Sequence, residues 1–193
     1  MRSSRYLIIV CVLATFCSCG NRRLRSDLTG FIGSEVVVPE DMRPTVNGRD
    51  TVLTDFMSGR AKMVVWYDSA RCASCAISKM YLWADILTYA AQIERKFGVV
   101  FLFTPKPDDL HAVRIALMSY KIDYPVFLAD QTEFVKLNAC LPQDDRMHTF
   151  LLDADNKVLL VGNPLRNDKL WKLYEATIRK LLINNGRLSA SEG

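Results

Sequence analysis

The sequence predicts an α/β sandwich with a mixed central sheet, on three observations. Strand-like and helical patterns alternate from about residue 44 to residue 185. Val99-Val100-Phe101-Leu102-Phe103 is a continuous apolar run, suited to a strand covered on both faces. Between the apolar run Met63-Val64-Val65-Trp66-Tyr67 and a long stretch of helical period stands a Cys-x-x-Cys, Cys72-Ala73-Ser74-Cys75. Alternation of this kind lays helices on the faces of a sheet.

Each element has its own signal. Asn47-Gly48 between Thr45-Val46 and Thr51-Val52-Leu53 is a strong short-range hairpin pattern. Lys62 to Tyr67 reads as a strand. From Ala76 to Lys96 apolar residues fall at Ile77, Met80, Ala84, Leu87 and Ala91, one stripe of a long helix. After the Val99–Phe103 strand, Pro107 opens a helix running to about Ser119. Pro125 to Leu128 reads as a strand and Gln131 to Asn138 as a short helix. Thr149-Phe150-Leu151-Leu152 and Val158-Leu159-Leu160-Val161 flank Asp153-Ala154-Asp155-Asn156 as a second hairpin. Lys169 to Ile183 closes the pattern, with Leu170, Leu173, Thr177, Ile178 and Leu181 on one side. Trp83, Trp171 and the methionines at helical spacing are read as core.

The first residues bear on location. Arg2 and Arg5 precede an apolar stretch of eleven residues, Tyr6 to Phe16. That is too short to span a bilayer and about right for a secretory signal. Ser18 before Cys19 resembles the lipobox of bacterial lipoproteins, in which the cysteine is acylated and begins the mature chain. An ordinary cleaved signal and an uncleaved anchor are the alternatives. The expected division is a lipoprotein signal peptide over 1–18 and a tether over 19–43 with a peripheral strand at Val36-Val37-Val38. A single domain over 44–185 and a flexible tail over 186–193 complete it. Gly20 does not resemble an inner-membrane retention signal, so the expected site is the outer membrane, facing the periplasm. Without residues 1–18 the chain keeps 23 basic residues against 21 acidic ones, a net of +2. That near-neutral balance argues against nucleic acid as a partner. Arg22, Arg23 and Arg25 would lie beside anionic lipid, or simply in a solvated linker. With Cys11 and Cys17 gone with the signal and Cys19 acylated, Cys72, Cys75 and Cys140 remain, an odd number for an oxidising compartment.

Cys72 at a helix start would be the attacking thiolate, assisted by unpaired amides and by the Arg71 charge beside it. It is expected to ionise below the free-thiol value of about 8.5. Cys75, one turn in and less exposed, would resolve the mixed disulfide. The alternative is a structural disulfide that never turns over. No cofactor is expected. Zinc needs about four ligands, and only Cys72, Cys75, Cys140, His111 and His148 are available, on scattered elements. Ser69-Ala70-Arg71-Cys72 fits part of a peroxidatic motif, but Val65 stands where its proline belongs. Cys140 reads as a small buried hydrophobe or a third redox thiol, and His148 as a hydrogen-bonded strand residue.

The chain also resembles the membrane-tethered thioredoxin-like proteins of bacterial envelopes (TlpA-like, within the wider redoxin group). The resemblance runs from about Val46 to Ile183. It is carried by Val46-Asn47-Gly48 through Leu53-Thr54-Asp55-Phe56, by Gly59 and Lys62, and by Met63–Tyr67 with Asp68-Ser69-Ala70-Arg71-Cys72. Thr149–Asp153 with Asn156-Lys157-Val158 looks like the family's late hairpin, facing the cysteines. It implies a thioredoxin-like three-layer α/β/α sandwich with an N-terminal β-hairpin. It also implies disulfide exchange with thiols or disulfides of envelope proteins, supplied by an unidentified redox donor.

The departures are specific. Arg71 replaces the usual Trp before the first cysteine, and Ala73-Ser74 the frequent Pro between the two. Trp66 stands where thioredoxins proper bury an acid. Met147 holds the place of the cis-proline before the late strand, with Arg146 beside it. A cis bond at a non-proline costs about 2.5–4 kcal/mol, so a trans or altered backbone is expected there. If that loop faces the cysteines, Arg146 brings a second positive charge to the thiolate; otherwise Arg71 and Arg146 are two solvated loop charges. Two functions stay open: a lipid-anchored thiol:disulfide oxidoreductase, or a binding or structural module with an inert disulfide.

Overall fold

The computed structural model describes residues 24–39, 42–53, 59–93 and 96–187. Seven strands are found there: β1 (Arg43–Val46), β2 (Arg49–Asp50), β3 (Ala61–Tyr67), β4 (Phe97–Phe103), β5 (Val126–Leu128), β6 (Thr149–Leu152) and β7 (Val158–Val161). They form one mixed sheet in the order β2-β1-β5-β4-β3-β6-β7. The pairs β3–β4 and β4–β5 are parallel; β2–β1, β1–β5, β3–β6 and β6–β7 are antiparallel. The helices are α1 (24–31), α2 (Ala73–Ile77), α3 (Ala84–Gln92), α4 (Leu110–Ser119), α5 (Gln131–Leu137) and α6 (Asp168–Ile183).

Period-two alternation in the central strands builds two cores. Met63, Val65, Val99 and Phe101 face one side, under Ile77, Trp83, Ile86, Leu117, Tyr174 and Ile178 of α2, α3, α4, α6 and the segment joining α2 to α3. Val64, Trp66, Val100 and Leu102 face the other, under Phe31 of α1 and Phe134 of α5. Central strands buried on both faces must be apolar at every position, which is why β4 reads as an unbroken apolar run. The result is the expected three-layer α/β/α sandwich.

Four expectations are corrected. The helix predicted over Ala76–Lys96 is broken: α2 ends at Ile77, and a 3-10 turn over Met80–Trp83 leads into α3. In a 3-10 turn side chains three apart eclipse, so the buried series runs Met80, Trp83, Ile86, and the anticipated Ala84 and Ala91 are exposed. Thr51–Leu53 lies outside the sheet. The edge strand β2 pairs at only two positions, and Val52, with no face to cover it, is 86% exposed.

Residues 24–38, expected as a tether, are packed on the domain. Phe31 and Val36 are buried in the second core, and Glu35 bridges Lys157 of the β6–β7 turn. Val37 is tied through both backbone groups to the Asn138 side chain, so an extended segment sits where a strand was expected. The domain likewise reaches past 185. Gly186 O accepts from Ala154 N at 2.8 Å, and Arg187 forms a two-point ion pair with Asp155. The expected signal peptide, Cys19 and residues 188–193 lie outside the described residues. No helix among the described residues is long and apolar enough to cross a membrane.

The first hairpin turns through Asn47 and Gly48, both at positive φ (51° and 73°), as a two-residue hairpin demands. It docks on α4 so tightly that a Cβ on Gly48 would lie 2.4 Å from Arg114 O. Arg114 in turn donates to Gly48 O and pairs with Asp50 at 2.7 Å. Gly48→Ala is therefore expected to destabilise by about 2 kcal/mol, since the clash is with backbone and adds to the strained φ. A fall in urea midpoint at unchanged slope is the measurement; an unchanged midpoint would show that the hairpin floats free of α4.

Candidate active site

β3 delivers the chain to the site, and a turn over residues 68–71 hands it to α2. Arg71 N donates to Asp68 O at 3.2 Å and Ala70 N to Asp68 Oδ1 at 3.1 Å. Cys72 caps α2: its sulfur accepts from Cys75 N at 3.3 Å, and its carbonyl accepts from Ala76 N at 3.0 Å. Cys72 and Cys75 form a disulfide with Cα atoms 5.2 Å apart. Both cysteines are exposed, Cys75 included, although it lies one turn into the helix. The helix that would carry it inward ends only two residues later, at Ile77.

A polar relay holds the turn against the sheet in place of the absent buried acid. The Trp66 indole N–H donates to Thr104 Oγ1 at 2.9 Å. The Thr104 hydroxyl donates to Gln131 Oε1, which also accepts from Ser69 N at 3.1 Å. Trp66 itself is buried, edge-on to Phe134 and 4.0 Å from the His148 ring.

His148 is buried just before β6, where its backbone carbonyl accepts from Trp66 N at 2.8 Å. Nε2 lies 3.0 Å from Pro142 O; a carbonyl can only accept, so Nε2 holds the proton. Nδ1 has no hydrogen-bond partner and stands 3.6 Å from Asp68 Oδ2. Burial, more than any neighbouring charge, pushes the imidazole pKa down, so the ring is neutral near pH 7. That is the hydrogen-bonded residue anticipated, placed one position ahead of the strand.

The two cations named from the sequence are spoken for. Arg71 pairs with Asp145 at 2.8 Å, linking the cysteine turn to the loop that precedes β6, and its guanidinium lies 6.0 Å from the Tyr67 ring centroid. Arg146 forks onto Asp144 instead of approaching the sulfurs, and is absent from the cleft beside them. That fork holds the Asp144 carboxyl down at about 2. Met147 is buried, lies outside that cleft, and follows a trans peptide bond. Cys140 is a free, half-buried thiol packed on the second core. Among the described residues no three His, Cys, Asp or Glu side chains are grouped to hold a metal ion.

Beside the disulfide opens a cleft of about 630 Å³. Tyr67 and Arg71 line it from the β3 end, and Lys79, Leu82 and Trp83 from the segment after α2. Asn163 and Leu165 line it from the β7–α6 connection. Sequence reasoning named only Arg71 and the cysteines among these. Lys79 had a readable signal, standing four residues after Cys75 and seven after Cys72; Asn163 and Leu165, some 90 residues away, had none. Chemically the arrangement presents an accessible disulfide on the floor of a partly apolar, open groove.

No family model matches this sequence, and no curated protein matches it. Solved structures do. A candidate protein disulfide isomerase from Bacteroides thetaiotaomicron is 19% identical with a TM-score of 0.52, over 79% of this chain and 90% of that one. A candidate electron transfer protein from Aquifex aeolicus is 16% identical with a TM-score of 0.51, over 81% and 96%. A candidate electron transport protein from the same organism is 14% identical at 0.51, over 79% and 99%. At these identities the likeness shows the fold: this chain has the thioredoxin-like α/β fold.

Proposed function

We propose that this chain is a lipid-anchored thiol:disulfide oxidoreductase of the bacterial cell envelope, exchanging disulfides through Cys72 and Cys75. One observation carries the reading: the disulfide is exposed at a helix start and opens on a cleft in a thioredoxin-like fold. A substrate thiolate attacks Cys72 Sγ, the Cys72–Cys75 bond breaks, and Cys75 leaves as a thiolate. A second substrate thiolate then attacks the substrate sulfur of the mixed disulfide and Cys72 leaves. Two electrons pass to the cysteine pair, the substrate becomes a disulfide, and the two thiol protons go to solvent. From the reduced pair the same steps run backwards and reduce a substrate disulfide.

The location rests on residues 1–23. Removal of 1–18 and acylation of Cys19 would hold the domain on a membrane, by default the outer one, facing the periplasm. Because residue 24 is only five positions after Cys19, the tether would reach at most about 17 Å. The cleft would thus work close to the membrane surface, on envelope proteins.

A second reading, an inert disulfide in a binding module, is favoured by the Arg71–Asp145 and Arg146–Asp144 pairs, which leave neither guanidinium free for a thiolate. The reduction potential separates the two. The full chain, equilibrated in glutathione and dithiothreitol buffers with free thiols counted by alkylation, is expected to show a reversible couple between roughly −120 and −270 mV. A value well below about −300 mV would mark a structural disulfide and end the enzymatic reading.

A further inference from the structure

The cleft beside the disulfide has more chemistry than two cysteines need. Among the described residues no carboxylate lines it. Arg71, at one end, is balanced by Asp145. Lys79 is exposed and, among the described residues, lines the cleft with no ion-pair partner. Next to it Leu82 is 39% exposed, because the 3-10 turn sends Met80 and Trp83 inward and leaves Tyr81 and Leu82 outside. Leu165 adds a second apolar wall from the β7–α6 connection. The volume, about 630 Å³, is on the scale of a site for a ligand much larger than a single thiol.

We propose that this cleft selects its substrate: it takes a cysteine carried in an acidic peptide segment, with a carboxylate at Lys79 and an apolar side chain between Leu82 and Leu165. The inference rests on the exchange reaction proposed above and narrows it to a substrate class. The attacking group is itself an anion, so the Lys79 charge favours both the thiolate and the acidic residues flanking it. One cation acting through solvent on a thiolate and a flanking carboxylate amounts to about a tenfold preference at low ionic strength. Lys79 is thus a specificity-determining residue and takes no part in bond making.

The test compares two dicysteine peptides of equal length, one flanked by Asp and Glu and one by Lys, with dithiothreitol as an uncharged probe. Rates of reduction of the Cys72–Cys75 disulfide are measured on the full chain in detergent, at low salt, and corrected for each peptide's thiolate fraction. The acidic peptide is expected to react about tenfold faster, a ratio that collapses toward one near 0.5 M salt. Lys79→Glu should abolish or invert the ratio. Because the ratio is read within one protein, any change in the intrinsic reactivity of the cysteines cancels. Lys157→Glu makes the same charge change in the β6–β7 turn, at the far end of the sheet, and should keep the preference. Equal rates for the two peptides, or a preference that survives Lys79→Glu, would overturn the inference while dithiothreitol exchange leaves the reaction standing. A pair that no probe reduces would overturn both.

Discussion

Replacing Cys75 with serine is expected to convert a transient mixed disulfide into a lasting one. Substrate stays bonded to Cys72 because the thiol that releases it from one turn away is gone. A resolving group held in place acts at an effective concentration far above that of any free thiol, so its removal should lengthen the adduct's life by on the order of a thousandfold or more. Cys72→Ser is expected to behave differently although both cysteines are exposed. The amide of Cys75 points at Cys72 Sγ, so the local backbone stabilises a thiolate at Cys72 and not at Cys75. Alkylation near neutral pH should therefore be faster at Cys72 in Cys75→Ser than at Cys75 in Cys72→Ser. Non-reducing electrophoresis of whole-cell extracts reads the adducts. If neither variant accumulates them, the pair does not exchange with proteins. If Cys72→Ser traps as well as Cys75→Ser, attack occurs at either sulfur and the polarity inferred from α2 is wrong.

The parts of this molecule that were legible in its sequence are those set by short-range patterns. Period two and unbroken apolar runs placed the central strands. Asn47-Gly48 and Asp153–Asn156 placed the hairpins, because few residues tolerate the positive φ that Asn47, Gly48 and Asn156 adopt. The Cys-x-x-Cys at a strand-to-helix junction placed the disulfide. What stayed hidden is what long-range contact decides. Nothing between Ser78 and Trp83 signals a break, since it contains neither Gly nor Pro; the change to 3-10 geometry puts Met80, Trp83 and Ile86 on one line into the core. Arg71 and Arg146 read either as cations near a thiolate or as solvated loop charges, and their partners, Asp145 and Asp144, are defined by a loop whose fold no local pattern specifies. Trp66 looked like a missing acid. In the folded protein it starts the relay through Thr104 and Gln131 that fixes Ser69 and with it the cysteine turn.

The burial of Lys62 was also hidden in the sequence, and its replacement should change stability most visibly with pH. It lies in β3 ten residues before Cys72, with no exposed surface, and its ammonium donates to Asn156 Oδ1 at 2.5 Å. Burial, only partly offset by the Asp153 charge, pulls its pKa from 10.5 down to about 8. The folded pKa lies below the unfolded one, so between about 8 and 10.5 the unfolded chain binds more protons and stability rises with pH. Below about 8 both states are charged and the full desolvation cost, on the order of 3 kcal/mol, weighs on the fold. Lys62→Met removes that cost but leaves Asn156 Oδ1 without its donor, a loss of about 1–3 kcal/mol. The two nearly cancel at pH 7, so the decisive quantity is the difference between pH values. Relative to wild type, Lys62→Met should lose about 2–3 kcal/mol between pH 7 and pH 10, since only the wild type is relieved as its lysine deprotonates. Urea midpoints of the two proteins at both pH values measure it. Parallel pH profiles would mean that Lys62 keeps an ordinary proton affinity inside the sheet, and that Asp153 and Asn156 solvate its charge as well as water does.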